Sequence, residues 1–148
     1  MNAELDDRVR VAIYERFVDE GEAPSIHHVA EMLSLPVEGV EAAFRRLAEN
    51  RVIVLMAGTT EIWMAPPLSA VPTSFRVETP KGAFWGNCIW DGLGTIAMLG
   101  GEGTVQTRCP DCEEPLELAV ENGALAASDG VAHFAVPAAR WWDNIGFT

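Results

Sequence analysis

Apolar residues fall at Leu5, Val9, Ile13 and Phe17 of the opening segment NAELDDRVRVAIYERFVDEG, with charged residues between them. This i, i+4 row places every large apolar side chain on one stripe, so it predicts an amphipathic helix ending near Gly21. PSIHHVAEMLSL predicts a second helix with Ser25 as its N-cap, and PVEGVEAAFRRLAEN a third with Pro36 in its first turn. The apolar runs VIVLM and EIWMA flank AGTT, which is the pattern of a hairpin. Three helices followed by a hairpin is the element order of a winged helix.

The pattern then changes. APPLSAVPTS carries three prolines in ten residues, and proline removes a backbone donor and fixes φ, so helix and sheet are both expected to stop there. A domain boundary is placed at this point, giving a winged-helix-like module over residues 1–68 and a second domain over 69–148. In the second domain SFRVET alternates like a strand, and GAFWGNCIWDGLGTIAMLG reads as one buried helix. GTVQTRC, PLELAV and VAHFAV read as three further strands, PAARWWDNIG as a short helix, and the final FT as the start of another element. The fold class expected is α+β with a mainly antiparallel sheet.

Charge alters what the first half can do. The chain of 148 residues has a formal charge of -12 with only ten Lys and Arg, a poor basis for binding phosphates. Between residues 25 and 65 five glutamates face three arginines, so a docking or structural role is favoured over reading DNA, and no nucleic-acid partner is expected. No apolar stretch approaches the roughly 20 residues needed to span a bilayer, so no membrane partner is expected either. Three cysteines cannot all pair and no charged-then-apolar leader opens the chain, which makes a cytoplasmic location the expectation.

The chemistry concentrates in FWGNCIWDGLG. Cys88 stands three residues before Asp91 inside an aromatic and aliphatic run. At i and i+3 of a helix the thiol and carboxyl share a face. Near the helix start the peptide dipoles favour a thiolate, whereas the neighbouring carboxylate opposes it. A soft cation bound to sulfur, or a proton shared between the two groups, would reconcile them. The alternative is a buried cysteine acting as a small apolar side chain, with Asp91 paired locally. A second constellation is Cys109 and Cys112 in RCPDC, the spacing of half a zinc knuckle. It is present in one copy, so four zinc ligands would require Cys88 and His133 to be brought in by the fold, and a turn between strands is the competing reading. His27 and His28 have no ligand partner in spacing and are read as solvent-facing, and Trp141 and Trp142 as core cover or pocket wall.

From FRVET through FWGNCIWDGLGTIAMLG, TVQTRCPDCEEPLEL and VAHFAVPAARWWDNIGF, the chain resembles the alkylmercury (organomercurial) lyase family. The resemblance implies a winged-helix-like module joined to an α+β catalytic domain. It implies Cys88 as mercury ligand and first catalytic cysteine, and Asp91 as catalytic aspartate and proton shuttle. It also implies protonolysis of the carbon–mercury bond with no resident cofactor, Hg(II) being substrate and product and cellular thiols carrying the product away. The family uses a second catalytic cysteine just after the Phe that follows the segment matching VPAARWWDNIGF. That place falls on Thr148 or one residue beyond, so the site is expected to be incomplete in this chain and its activity impaired. A rival reading is a soft-metal-binding or regulatory protein without catalysis, docking a partner through its helical module.

Overall fold

The computed structural model describes residues 2–147. Three helices open the chain: α1 (Asn2–Glu20), α2 (Ile26–Leu33) and α3 (Val37–Glu49). The i+4 row holds, since Val9, Ile13 and Phe17 are buried together with Ala12. Ser25 caps α2 as its spacing predicts: its hydroxyl accepts the backbone N–H of His28 at 3.2 Å, and His28 Nδ1 accepts the Ser25 N–H at 3.4 Å. Pro36 sits at the N-cap of α3, one position outside the first turn. Asp6 in α1 takes the Arg46 guanidinium of α3 through both carboxylate oxygens, at 2.6 to 3.1 Å, which fixes the two helices side by side.

A three-stranded antiparallel sheet follows, of β1 (Val54–Leu55), β2 (Ile62–Ala65) and β3 (Leu68–Ser69). The expected hairpin is β1 with β2. Strand β3 corrects the expectation that the proline-rich stretch stops sheet pairing. Leu68 and Ser69 lie between Pro67 and Pro72, keep their own N–H groups and pair with β2, Met64 opposite Ser69. The boundary drawn after residue 68 therefore falls inside a strand.

The second sheet has the order β5-β4-β6-β7-β8, antiparallel throughout, from β4 (Arg76–Thr79), β5 (Gly82–Trp85), β6 (Gly103–Arg108), β7 (Pro115–Glu121) and β8 (Ala124–Leu125). Helix α4 (Ile89–Met98) packs on β4 and β6. Three expectations are corrected here. GAFWGNCIWDGLGTIAMLG is not one helix, because its first four residues pair with β4, Val77 opposite Phe84, and the helix starts only after Cys88. VAHFAV forms no strand: Val131 is 90% exposed, and the stretch from His133 to Val136 lines the cavity described below. The unexpected β8 follows an Asn122-Gly123 turn with φ of 51° and 73°, the left-handed pair that closes a tight hairpin. PAARWWDNIG contributes a 3-10 helix over Ala138–Asp143.

One cluster of buried side chains runs from Val9 and Phe17 through Phe44, Leu68 and Ile96 to Val105 and Val120, joining both sheets and all four helices. At its centre two glycines allow backbone to touch backbone. A Cβ on Gly86, just past β5, would lie 2.7 Å from the Gly92 nitrogen and 2.8 Å from its Cα. A Cβ on Gly92 would meet the Val105 methyls at 3.0 and 3.2 Å. Gly86 also bridges Leu68 of the first sheet and donates its N–H to Phe75 at 2.9 Å. The first turn of α4 is thus pressed between the two sheets at van der Waals limit.

Because the obstacle at Gly86 is main chain and cannot rotate away, Gly86→Ala should cost about 2–3 kcal/mol and lower the melting midpoint by roughly 5–10 °C. Differential scanning calorimetry checks this, and an unchanged midpoint would contradict the close approach.

Candidate functional site

The chain leaves β5 at Trp85, turns at Gly86 and Asn87, and enters α4 with Cys88 as its N-cap, in extended conformation (φ -150°, ψ -177°). Cysteine is an unusual cap, but its sulfur accepts the Asp91 backbone N–H at 3.5 Å and its carbonyl accepts the Gly92 N–H at 2.9 Å. The expected position of Cys88 at the helix start, with Asp91 within the first turn, is the one found. Asp91 is half-buried, and so is Cys88.

Asn87 orients the carboxyl. Its Nδ2 donates to Asp91 Oδ2 at 2.9 Å and lies 3.4 Å from the carbonyls of both Pro67 and Leu68. The carboxyl is thereby tied to the chain that enters β3. The same stretch is held from the other side, since the Tyr14 hydroxyl of α1 donates to the Pro66 carbonyl at 2.8 Å. Asn87 Oδ1 is buried with no hydrogen-bond partner among the described residues. Neither Asn87 nor Tyr14 was singled out from the sequence. Asn87 stands four residues before Asp91, a spacing that could have suggested the pair, whereas Tyr14 reaches Pro66 across 52 residues and left no local signal.

Burial dominates the electrostatics. It pushes the Cys88 thiol above its ordinary value, against the N–H groups of Asp91 and Trp90, and the Asp91 charge pushes in the same upward direction. It also raises the Asp91 carboxyl above the usual range, with the Asn87 amide pulling the other way. The Tyr14 hydroxyl is raised too, chiefly by burial, with Asp91 adding to the rise and Arg10 opposing it. Both groups therefore favour their protonated forms more than free side chains do.

Both groups face a cavity of about 560 Å³. Its floor is formed by Met64, Pro66 and Phe75 with the first turn of α4, and its cover by the segment from His133 to Phe147. That segment is fastened at several points. Trp141 Nε1 donates to the Val136 carbonyl at 2.7 Å, and its ring lies 5.1 Å from that of Phe134. The Arg51 guanidinium stands 5.6 Å from the centre of the Trp142 ring. Gly146 packs against the Trp63 indole with no room for a Cβ. Trp141 and Trp142 both line the cavity, which resolves their two readings in favour of a pocket wall.

The remaining candidates lie elsewhere. Cys109 and Cys112 occupy the connection between β6 and β7 and do not line the cavity. His133 does line it, yet among the described residues no three His, Cys, Asp or Glu side chains converge on one point, so the four-ligand zinc set does not form there. His27 and His28 are exposed on α2. Thr148, at which or one residue beyond which the second catalytic cysteine of the resembled family would fall, lies outside the described residues. Within the cavity, Cys88 sulfur and the Asp91 carboxyl are the pair able to hold a soft cation, with aromatic walls suited to an apolar group attached to it.

No curated protein matches the chain. A crystal structure of the mercury-bound form of MerB2 superposes with a TM-score of 0.62 at 21% identity, over 86% of this chain and 68% of the other, which establishes a shared fold. The family model for alkylmercury lyase (MerB) matches residues 68–148, which takes in the α4 cap, the second sheet and the cavity cover, and the chain accordingly belongs to the alkylmercury lyase family.

Proposed function

We propose that the chain cleaves the carbon–mercury bond of organomercurials by protonolysis, with Cys88 as mercury ligand and Asp91 as proton shuttle. The observation that carries this reading is the placement of one thiol and one raised carboxyl on the same helix turn, inside an aromatic cavity.

The proton count closes on these two residues. An organomercury cation displaces the thiol proton of Cys88, sulfur being the softest ligand available, and the carboxylate of Asp91 takes that proton. The carboxyl then returns it to the carbon bound to mercury, the carbon–mercury electron pair leaves with the proton as hydrocarbon, and the carboxylate is left facing Hg(II) on sulfur. Charge is conserved, and one proton has moved from sulfur to oxygen to carbon. Burial assists the second step, because a carboxyl raised by desolvation holds the proton until the carbanion forms, while Asn87 keeps its oxygen on the helix side of the cavity. No resident cofactor enters the scheme. Hg(II) leaves Cys88, the one cysteine lining the cavity among the described residues, when an external thiol attacks it.

The two roles separate on mutation. In a background with Cys109 and Cys112 replaced by Ala, Cys88→Ser should abolish tight binding of phenylmercury, whereas Asp91→Ala should keep binding and lower single-turnover benzene release by about 10²–10⁴-fold. Titration by mass spectrometry and headspace chromatography of benzene measure the two, and rapid benzene release by Cys88→Ser would refute the assignment.

Burying Asp91 also costs stability in a pH-dependent way. A carboxyl whose folded pKa is raised binds more protons folded than unfolded, so stability falls as pH rises from the ordinary Asp value through the folded one. Asp91→Asn keeps an acceptor for Asn87 and removes the buried charge. It should melt higher than the parent at pH 7, and the difference should vanish below about pH 4, where aspartate is protonated in both states. Melting curves of the two proteins across pH check this, and an equal or lower midpoint at pH 7 would contradict it.

A further inference from the structure

The connection between β6 and β7 holds a second sulfur pair that the cavity does not use. Arg108 pairs with Pro115 at the end of the ladder, and the six residues between them close on themselves. The Cys109 N–H donates to the Glu114 carbonyl at 2.9 Å, and the Glu113 N–H donates to the Cys109 carbonyl at 2.9 Å. Glu113 is left-handed (φ 59°), which reverses the chain immediately after Cys112 and returns it toward Cys109. Arg108 Nη1 reaches the Glu113 carbonyl at 3.2 Å and braces the reversal. The tip is therefore a built turn, and Cys112 is exposed on it while Cys109 is partly covered.

The backbone N–H groups of Cys112 and Asp111 and the Cys112 thiol draw the Cys109 thiol below its ordinary value, against the nearby Asp111 charge. What the turn itself supplies is two sulfurs three residues apart across one closed reversal, the spacing of a two-sulfur chelate.

A third or fourth ligand is what the site lacks. Among the described residues no group of three His, Cys, Asp or Glu side chains surrounds a common point, and zinc in structural sites takes four. Soft d10 cations that are satisfied by two sulfurs have no such requirement.

We propose that Cys109 and Cys112 form a surface two-thiolate site for a soft, two-coordinate cation, with ionic Hg(II) as its ligand. Binding exchanges two thiol protons for one cation, with no change of oxidation state. A monovalent organomercury cation needs one sulfur and gains nothing from the second, so the pair favours the inorganic ion over its organic derivative. The proposal stands without the lyase activity of the cavity. Where that activity operates, the site would hold the inorganic product away from Cys88.

The test uses the full 148-residue chain carrying Cys88→Ser, kept reduced under anaerobic conditions. Titrated with Hg(II) in the presence of excess monothiol, it should retain one ion per chain, seen in native mass spectrometry as the mass of mercury less two protons. Adding either Cys109→Ser or Cys112→Ser should weaken retention at least ~100-fold, because one sulfur then has no chelating partner at high effective concentration. Both positions lie at the outer tip of a hairpin, so the melting midpoint should stay unchanged and exclude unfolding as the cause. Phenylmercury should bind the parent and the single-cysteine variants alike. Retention of Hg(II) by the single-cysteine variants as tight as in the parent would overturn the proposal. So would one zinc ion shared by two chains under the same conditions, since that outcome makes the turn half of a four-sulfur zinc site.

Discussion

The site rests on a contact between two glycines. Where β5 ends, Gly86 lies against Gly92 of α4 with no space for a side chain on either, and Gly92 in turn lies against Val105 of β6. That approach allows the chain to pass from strand to helix in three residues, so Asn87, Cys88 and Asp91 emerge together on one side of the first helical turn. A Cβ at Gly86 would push the turn outward and open the spacing between thiol, amide and carboxyl. The carbonyls of Pro66, Pro67 and Leu68 then serve as a fixed rail, held from α1 by Tyr14 and presented to Asn87 on the opposite side. The helical module thus contributes to the site by position, through the stretch that a sequence reading assigns to a linker.

Folding and chemistry make opposite demands on Asp91. The chain tolerates a carboxyl half out of water with a single amide partner, against an apolar cavity and beside a thiol, an arrangement that burial penalises. The penalty has a chemical return. In the proposed reaction a carboxyl that binds its proton more readily than usual would collect one from a thiol and deliver it to carbon, whereas a fully solvated or doubly hydrogen-bonded carboxylate would keep its charge. The aromatic cover of Phe134, Trp141 and Trp142 maintains the low polarity on which this depends.

What could be read from the chain alone was local. The stripe of Val9, Ile13 and Phe17, the Ser25 cap, and the placement of Cys88 and Asp91 at the start of a helix all follow from spacings of three or four residues, and all are present. Tertiary pairing overrode local pattern elsewhere. Gly82–Trp85 shares its apolar character with the helix that follows, and only the ladder with β4 makes it a strand. Leu68 and Ser69 pair despite the prolines around them, because those prolines fall outside the two residues that need N–H groups. The alternation of VAHFAV was misleading for the converse reason: it pairs with no strand, and His133 to Val136 line the cavity instead. The Asn122-Gly123 turn carries its own local signal, an Asn-Gly pair between two strands. Roles set by distant contacts, such as that of Tyr14 toward Pro66, have no trace in any local window.

A crystal structure of the protein with phenylmercury bound measures the central claim most directly, because mercury locates itself unambiguously by anomalous scattering. The account predicts mercury on Cys88 Sγ, the phenyl ring among Phe134, Trp141 and Trp142, and the mercury-bound carbon facing the Asp91 carboxyl. Mercury found only at Cys109 or Cys112, with Cys88 unmodified and the cavity free of phenyl, would contradict it.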